Sequence, residues 1–191
     1  TLLDPTQRNK LPGFVGQITS PEGVKTPFTF TLGTDALGRD IYSRVIYGTR
    51  VSLVIGALVA IFATFFGLII GMVAGYVRWS DGIIMRFMDG LMAIPPILLA
   101  IALVSLSRAG VTAVVFAIAI PEIPRVVRLV RSIVLSIREE PYVEAAVTAG
   151  TPTPTLLFRH ILPNCIAPLI VQATFVAASA ILVESILSFL G

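Results

Sequence analysis

Apolar residues along the chain gather into long charge-free blocks separated by short polar stretches. Residues 51–77 hold 27 positions without a charged side chain, 90–107 hold 18, 109–121 hold 13 and 161–183 hold 23. A hydrocarbon core of about 30 Å takes roughly 20 apolar residues at a rise of 1.5 Å each, because a helix satisfies every backbone N–H and C=O internally. The first and last blocks meet that length outright. The second meets it if its helix begins near Arg86, carries Asp89 in its first turns and bends at Pro95-Pro96. The third crosses only as a kinked helix running through Pro121 and Pro124 to about Val134, with Arg125, Arg128 and Arg131 snorkelling toward headgroups. The pattern predicts an all-α fold, a polytopic transmembrane helical bundle with four spans.

Ahead of the first block, residues 1–31 carry Pro5, Pro12, Pro21 and Pro27 among Asn9, Gly13, Gly16 and Gly23, and read as an extended extramembrane loop. From Asp35 the pattern changes. Asp35/Arg39 and Asp40/Arg44 stand at i,i+4, as do Ile41/Val45 and Tyr42/Ile46, which predicts a short amphipathic helix along the membrane surface. The chain thus divides into residues 1–50, outside the bilayer, and 51–191, within it. In the first span Ala63, Gly67, Gly71 and Gly75 recur every four residues, so one helix face lets another backbone approach closely. Spacing leaves open whether that backbone belongs to this chain or to a partner.

Composition excludes most other classes. Of 191 residues 55% are hydrophobic and 13% charged, against roughly 25% charged in an ordinary soluble domain, and the mean hydropathy is +0.91. The net charge of +3 comes from scattered basic residues, so no nucleic-acid footprint exists. Cys165 is the only cysteine, which excludes an intrachain disulfide and a cysteine metal cage, and His160 is the only histidine. No phosphate-binding G-x-x-x-x-G-K-[ST] loop, H-E-x-x-H or G-x-S-x-G occurs. Catalytic residues, metal and bound cofactor are therefore not expected, and any ATP hydrolysis would come from another chain. The opening residues lack the basic, apolar and small-residue succession of a signal peptide.

Asp89 and Glu184 are acids that border apolar blocks. A charge at mid-bilayer costs roughly 2.5–3.5 kcal/mol on insertion scales, so each should face protein or water, either as part of a translocation path or as a structural partner. On these acids alone, an ion-gradient-driven secondary transporter or channel subunit is an alternative reading. With four spans, Lys and Arg divide seven against seven between the two sides. Arg78, Arg86, Arg125, Arg128, Arg131, Arg138 and Arg159 sit closer to span ends than the opposing group with Arg108, which favours their side as cytoplasmic.

The longest polar stretch between spans, residues 136–163, reads SIREEPYVEAAVTAGTPTPTLLFRHILP. Pro141 suits a first helical position, Glu139 and Glu140 complement the positive end of the helix dipole, and Gly150 suits a left-handed C-terminus. A second short helix over residues 155–162 would be capped by Thr151 or Thr153 and run to Pro163, which starts the entry into the last span. The product is a helix-turn-helix projecting from the membrane, with Ala145, Ala146 and Ala149 giving a low-relief surface for another protein to grip.

Glu144-Ala145-Ala146, then Gly150, then Leu162-Pro163 resembles the EAA loop of permease subunits in ATP-driven, binding-protein-dependent importers. RHILPN at residues 159–164, LGTDALGRDIYSRVIYGTRVSL at 32–53 and SAILVESILSFLG at 179–191 are similar to the dipeptide, oligopeptide and nickel branch, in the dipeptide-permease C-like subunit. His160 departs from the isoleucine of the general pattern. Thr151-Pro152-Thr153-Pro154 and Pro121-Glu122-Ile123-Pro124 depart from the branch's usual Gly-Ala-Ser and aromatic-proline stretches.

The resemblance implies a type I ABC importer permease with six spans, four of them in this chain, so that the first and sixth are expected to lie beyond it. It also implies a cytoplasmic loop, with Glu144, Ala145, Ala146, Gly150, Leu162 and Pro163 coupling the membrane path to an ATPase, and residues 1 to about 50 outside the cell. The implied partners are a second permease subunit in a heterodimer, two ATPase subunits carrying ATP and Mg, an external substrate-binding protein, and the lipid bilayer of a bacterial or archaeal plasma membrane. The implied cargo is di- or oligopeptides.

Overall fold

A computed structural model describes residues 7–19, 23–106 and 110–190. Pro5, Pro21, Arg108 and Gly191, named above, lie outside the described residues. The chain forms two compact units, residues 1–53 and 54–191.

In the first unit, residues 14–30 are not wholly extended loop. β1 (Phe14–Thr19) and β2 (Lys25–Phe30) pair antiparallel, with Phe14 opposite Phe30 and Thr19 opposite Lys25. Pro27 stands opposite Gln17. A two-stranded ribbon has only edges, so a strand can carry a proline whose missing donor would face outward, and proline and glycine here do not signal the absence of a strand. Phe14 stacks on Phe30, which in turn meets Phe28 edge-on. The Gln7 side chain clasps β1 at both poles of the Gln17 backbone, donating to its carbonyl at 2.8 Å and accepting from its N–H at 3.1 Å.

The expected surface helix is not a separate element. α1 (Ile41–Tyr76) is one helix of 36 residues, about 54 Å at 1.5 Å per residue, because nothing between the amphipathic start and the apolar block interrupts its hydrogen-bond ladder. Asp40 does not pair with Arg44. It caps α1, accepting from the Ser43 N–H at 3.0 Å and the Ser43 hydroxyl at 2.5 Å. Asp35 takes both arginines, Arg39 Nε at 2.9 Å and Arg44 Nη1 at 2.7 Å, and accepts the Leu37 and Arg39 amides as well.

The second unit is a helical bundle. α2 (Arg78–Ala93) and α3 (Pro96–Leu106) form a pair bent by 87° at Ile94-Pro95. α4 (Val111–Ile137) runs unbroken through Pro121 and Pro124, both buried. After α5 (Pro141–Thr148), α6 (Thr153–Leu156) passes through a π-helical turn at Leu157–Ile161 into α7 (Leu162–Leu190). α3 and α7 pack against α4. Among the described residues, two helices are long and apolar enough to cross a membrane, Ile41–Tyr76 and Thr153–Phe189, and the bent pair makes a third if it counts as one span.

The core lies between α1, α4 and α7, with Val59, Ala63, Val126, Val130, Val134, Ile161, Cys165, Val176 and Ala180 buried. The outer faces remain apolar, as at Ile61, Phe65 and Ile69 on α1 and Ile170, Val171 and Phe175 on α7. A helix apolar all round belongs in a core or a bilayer, and these outer faces have no core to enter.

Candidate coupling surface

Three adjoining pieces of local structure carry α5. α4 ends in a turn in which the Glu139 and Glu140 amides donate to Ser136 and Ile137. Arg138 reaches back from this turn, its Nη1 donating to the Gly75 carbonyl at 3.2 Å near the end of α1. Glu140 is extended, as the residue before proline must be, and Pro141 begins α5, where a missing N–H costs nothing.

At the other end Gly150 has φ +80°. Its N–H donates to Val147 and the Thr151 N–H to Ala146, a Schellman closure that needs a left-handed residue at Gly150. α5 therefore stops after two turns and leans on α6. Val143 from α5, Leu156 from α6 and Ile161 from the π turn are all buried.

Glu144 and Ala145 are exposed on α5, and Ala146 is half-buried. Tyr142 and Val147 also present apolar surface, as does Phe158 beyond the turn. Tyr142 is held in place, its hydroxyl accepting from Asn164 Nδ2 at 3.2 Å, while the same nitrogen donates to the His160 carbonyl at 2.8 Å. His160 thus lies beside Tyr142, ring centroids 6.4 Å apart. Leu162 is half-buried against the core and Pro163 is exposed.

The second short helix is not separate from the last span: helix continues through Pro163 from Thr153 to Leu190. The Leu162 N–H donates to Leu157 five residues back, and this wider turn accommodates a ring that would clash with the carbonyl of an ordinary α-helical turn.

The small-residue face of α1 lies on α4. A Cβ added at Gly67 would fall 2.5 Å from Val126 Cβ, at Gly71 2.7 Å from Val130 Cβ, and at Gly75 2.6 Å from Val134 Cβ. Ala63 is fully buried in the same core. Three glycines on one helix thus receive three valines, four residues apart, from the other.

Asp89 stands exposed on α2 with Arg128 Nη2 at 2.6 Å from Oδ1. Arg131, expected to snorkel, instead grips Asp81 with a two-pronged guanidinium, its Nη2 donating at 2.6 Å and its Nε to the other oxygen. Glu122 is 4% exposed and faces Arg125 across 3.3 Å. Glu184 is half-buried on α7. Sequence reasoning missed Asp81, and it foresaw neither Asp81 as the partner of Arg131 nor the burial of Glu122 beside Arg125. The available signal was that Asp81 and Asp89 lie eight residues, about two turns, apart, and Arg128 and Arg131 three apart, so each pair shares a helix face.

Among the described residues, no group of three or more His, Cys, Asp or Glu side chains is placed to hold a metal.

Comparison with known proteins gives the same family as the loop. A probable peptide ABC transporter permease protein of Sinorhizobium fredii is 58% identical over 159 residues, 83% of this chain and 55% of that protein. The dipeptide transport system permease protein of Alkalihalophilus pseudofirmus is 46% identical over 160 residues, 83% and 53%. The di/tripeptide transport system permease protein of Pseudomonas aeruginosa is 46% identical over 163 residues, 85% and 54%. The chain spans about half the length of these relatives. A family model, the binding-protein-dependent transport system inner membrane component, matches residues 63–191 and so takes in the glycine face, the α2–α4 ion pairs and all of α5. This chain belongs to that family of inner membrane components.

Proposed function

We propose that the chain is the membrane-spanning part of a permease subunit in an ATP-driven, binding-protein-dependent importer of di- or oligopeptides. α1, the bent α2–α3 pair, α4 and the long α6–α7 helix each cross the bilayer in this reading, four crossings of the six that the family resemblance implies. α5 lies on the cytoplasmic side and residues 1 to about 50 outside. The observation that carries the reading is the form of α5: two turns fixed at one end by Pro141 and at the other by the Gly150 closure, seated on Val143, with Glu144, Ala145 and Val147 turned outward. A self-contained carrier driven by an ion gradient has no use for such a protruding, anchored helix.

In this reading α5 is the docking helix for an ATPase subunit. Glu144, Ala145 and Ala146 meet the partner, Gly150 sets the turn, and Leu162 and Pro163 join the loop to α7. ATP and Mg bind to partner ATPase subunits and supply the driving reaction there. A second permease subunit completes the path and an external binding protein delivers the peptide. Asp89 and Glu184 are the candidate acids of the path, and Asp89 also meets Arg128 in the α2–α4 contact.

The test is uptake of labelled di-, tri- and pentaalanine by vesicles. They would hold the full-length permease with the second permease and ATPases encoded beside it, and the binding protein would be added outside. Uptake should need both ATP inside and the binding protein. Uptake driven by a proton or sodium gradient in vesicles without the ATPases would overturn the reading.

A further inference from the structure

α2 is joined to α4 by charge at two levels. Asp81 and Asp89 share one face of α2, and Arg131 and Arg128 meet them in antiparallel order from α4. The pair nearer α5 is the stronger in form, a two-pronged guanidinium–carboxylate contact with both side chains largely withdrawn from solvent. The farther pair is a single contact at 2.6 Å between half-exposed groups.

What lies at each end of this clamp gives it a role. Six residues past Arg131, α4 reaches its last residue, and four more lead to Pro141 and α5. Arg138, between them, fastens the same stretch to the Gly75 carbonyl. On the other side α2 ends at Ala93, and the 87° bend at Ile94-Pro95 opens directly into apolar α3. Pro95 lacks the N–H that would extend the helix across this point. A push on α5 therefore acts on α4, then through two charge pairs on α2, then on a bend with α3 beyond it. Charge pairs suit such a link because guanidinium–carboxylate contacts fix the distance and direction between the two helices.

We propose that Asp81 and Asp89, with Arg131 and Arg128, are positioning residues that transmit displacement of α5 to the α2–α3 bend. The inference rests on the reading of α5 as the ATPase-docking helix. The experiment uses the same vesicles, full complex and alanine peptides, and measures peptide moved per ATP hydrolysed. Asp81→Arg should lower that ratio at least tenfold while hydrolysis stimulated by the binding protein stays within threefold of the unaltered complex. Asp81→Arg combined with Arg131→Asp should restore the ratio to within threefold. A purely structural pair would lower uptake and hydrolysis together, leaving the ratio unmoved. Should Asp81→Arg prevent assembly, Asp89→Asn at the exposed pair carries the test, and its ratio should fall at least threefold. An unchanged ratio in either variant, or a loss that the swap does not reverse, overturns the link. Absence of ATP-dependent uptake in the unaltered complex overturns the functional reading instead, so the two failures are distinguishable.

Discussion

At Gly67 a methyl group would meet both Cβ and Cγ1 of Val126 at 2.5 Å, closer than carbon atoms approach, whereas Gly90 on α2 opens onto space with nothing within 4 Å. The same substitution should therefore have opposite signs at the two positions. Gly67→Ala forces α1 from α4 and should cost about 1–3 kcal/mol, the usual range for overpacking. Gly90→Ala removes a flexible residue from a helix interior and should stabilise by about 0.5–1 kcal/mol. Thermal unfolding in detergent compares them, and equal tolerance of both would contradict the packing described. The glycine face was legible in the sequence because a spacing of four residues defines a face. Its partner was not, because spacing on one helix says nothing about which helix lies opposite. The charged residues illustrate the same limit. Asp40 and Arg44 have the spacing of a helical ion pair, yet Asp40 stands just ahead of the helix, where its carboxylate satisfies the Ser43 N–H instead.

The segment ahead of α1 holds a turn built around one carboxylate. The Arg39 amide does most to hold the Asp35 carboxyl far below the usual carboxylate range, with smaller help from the Leu37 amide and the Arg44 and Arg39 side chains, against a desolvation effect in the other direction. A depressed native pKa means that the contribution to stability is complete above the unfolded value of about 3.9 and declines only as pH falls below it. Protection of the Leu37 and Arg39 amides from hydrogen exchange, corrected for intrinsic rates, should thus persist from neutral pH down to about 4 and fade at lower pH. Asp35→Ala, which removes the acceptor, should lose it already at pH 7. Loss of protection between pH 5 and 7 in the unaltered protein would contradict this account. Element boundaries were the least legible part of the sequence, and proline and glycine were the reason. Pro27 counted toward a loop reading of residues 1–31 but occupies an isolated ribbon, and Pro163 marked a boundary between a short helix and the last span but is absorbed by a π turn. α5 was legible because Pro141 and Gly150 play their ordinary local parts at its two ends.

Within the helical bundle of residues 54–191, the arrangement has α4 as its centre. α4 receives the glycine face of α1, pairs by charge with α2, packs against α3 and α7, and leads through Arg138 into α5. Any force applied to α5 is thereby applied to a helix that touches the rest of the bundle. Fold class and family were readable from apolar block length and the EAA loop, since both are local in sequence. The α2–α4 clamp was not, since Asp81 and Arg131 are 50 residues apart and only folding joins them. The central claim is that α5 presents its outward face to an ATPase. Its most direct test puts a photo-crosslinking benzoylphenylalanine in place of exposed Val147, with a second at exposed Phe175 on the apolar outer face of α7 as control, in the assembled complex. Irradiation should join the Val147 position to an ATPase subunit, with a yield that changes when ATP is bound, and should give no such product from the Phe175 position. A complex that imports peptide with ATP yet yields no ATPase adduct from the Val147 position would contradict the claim.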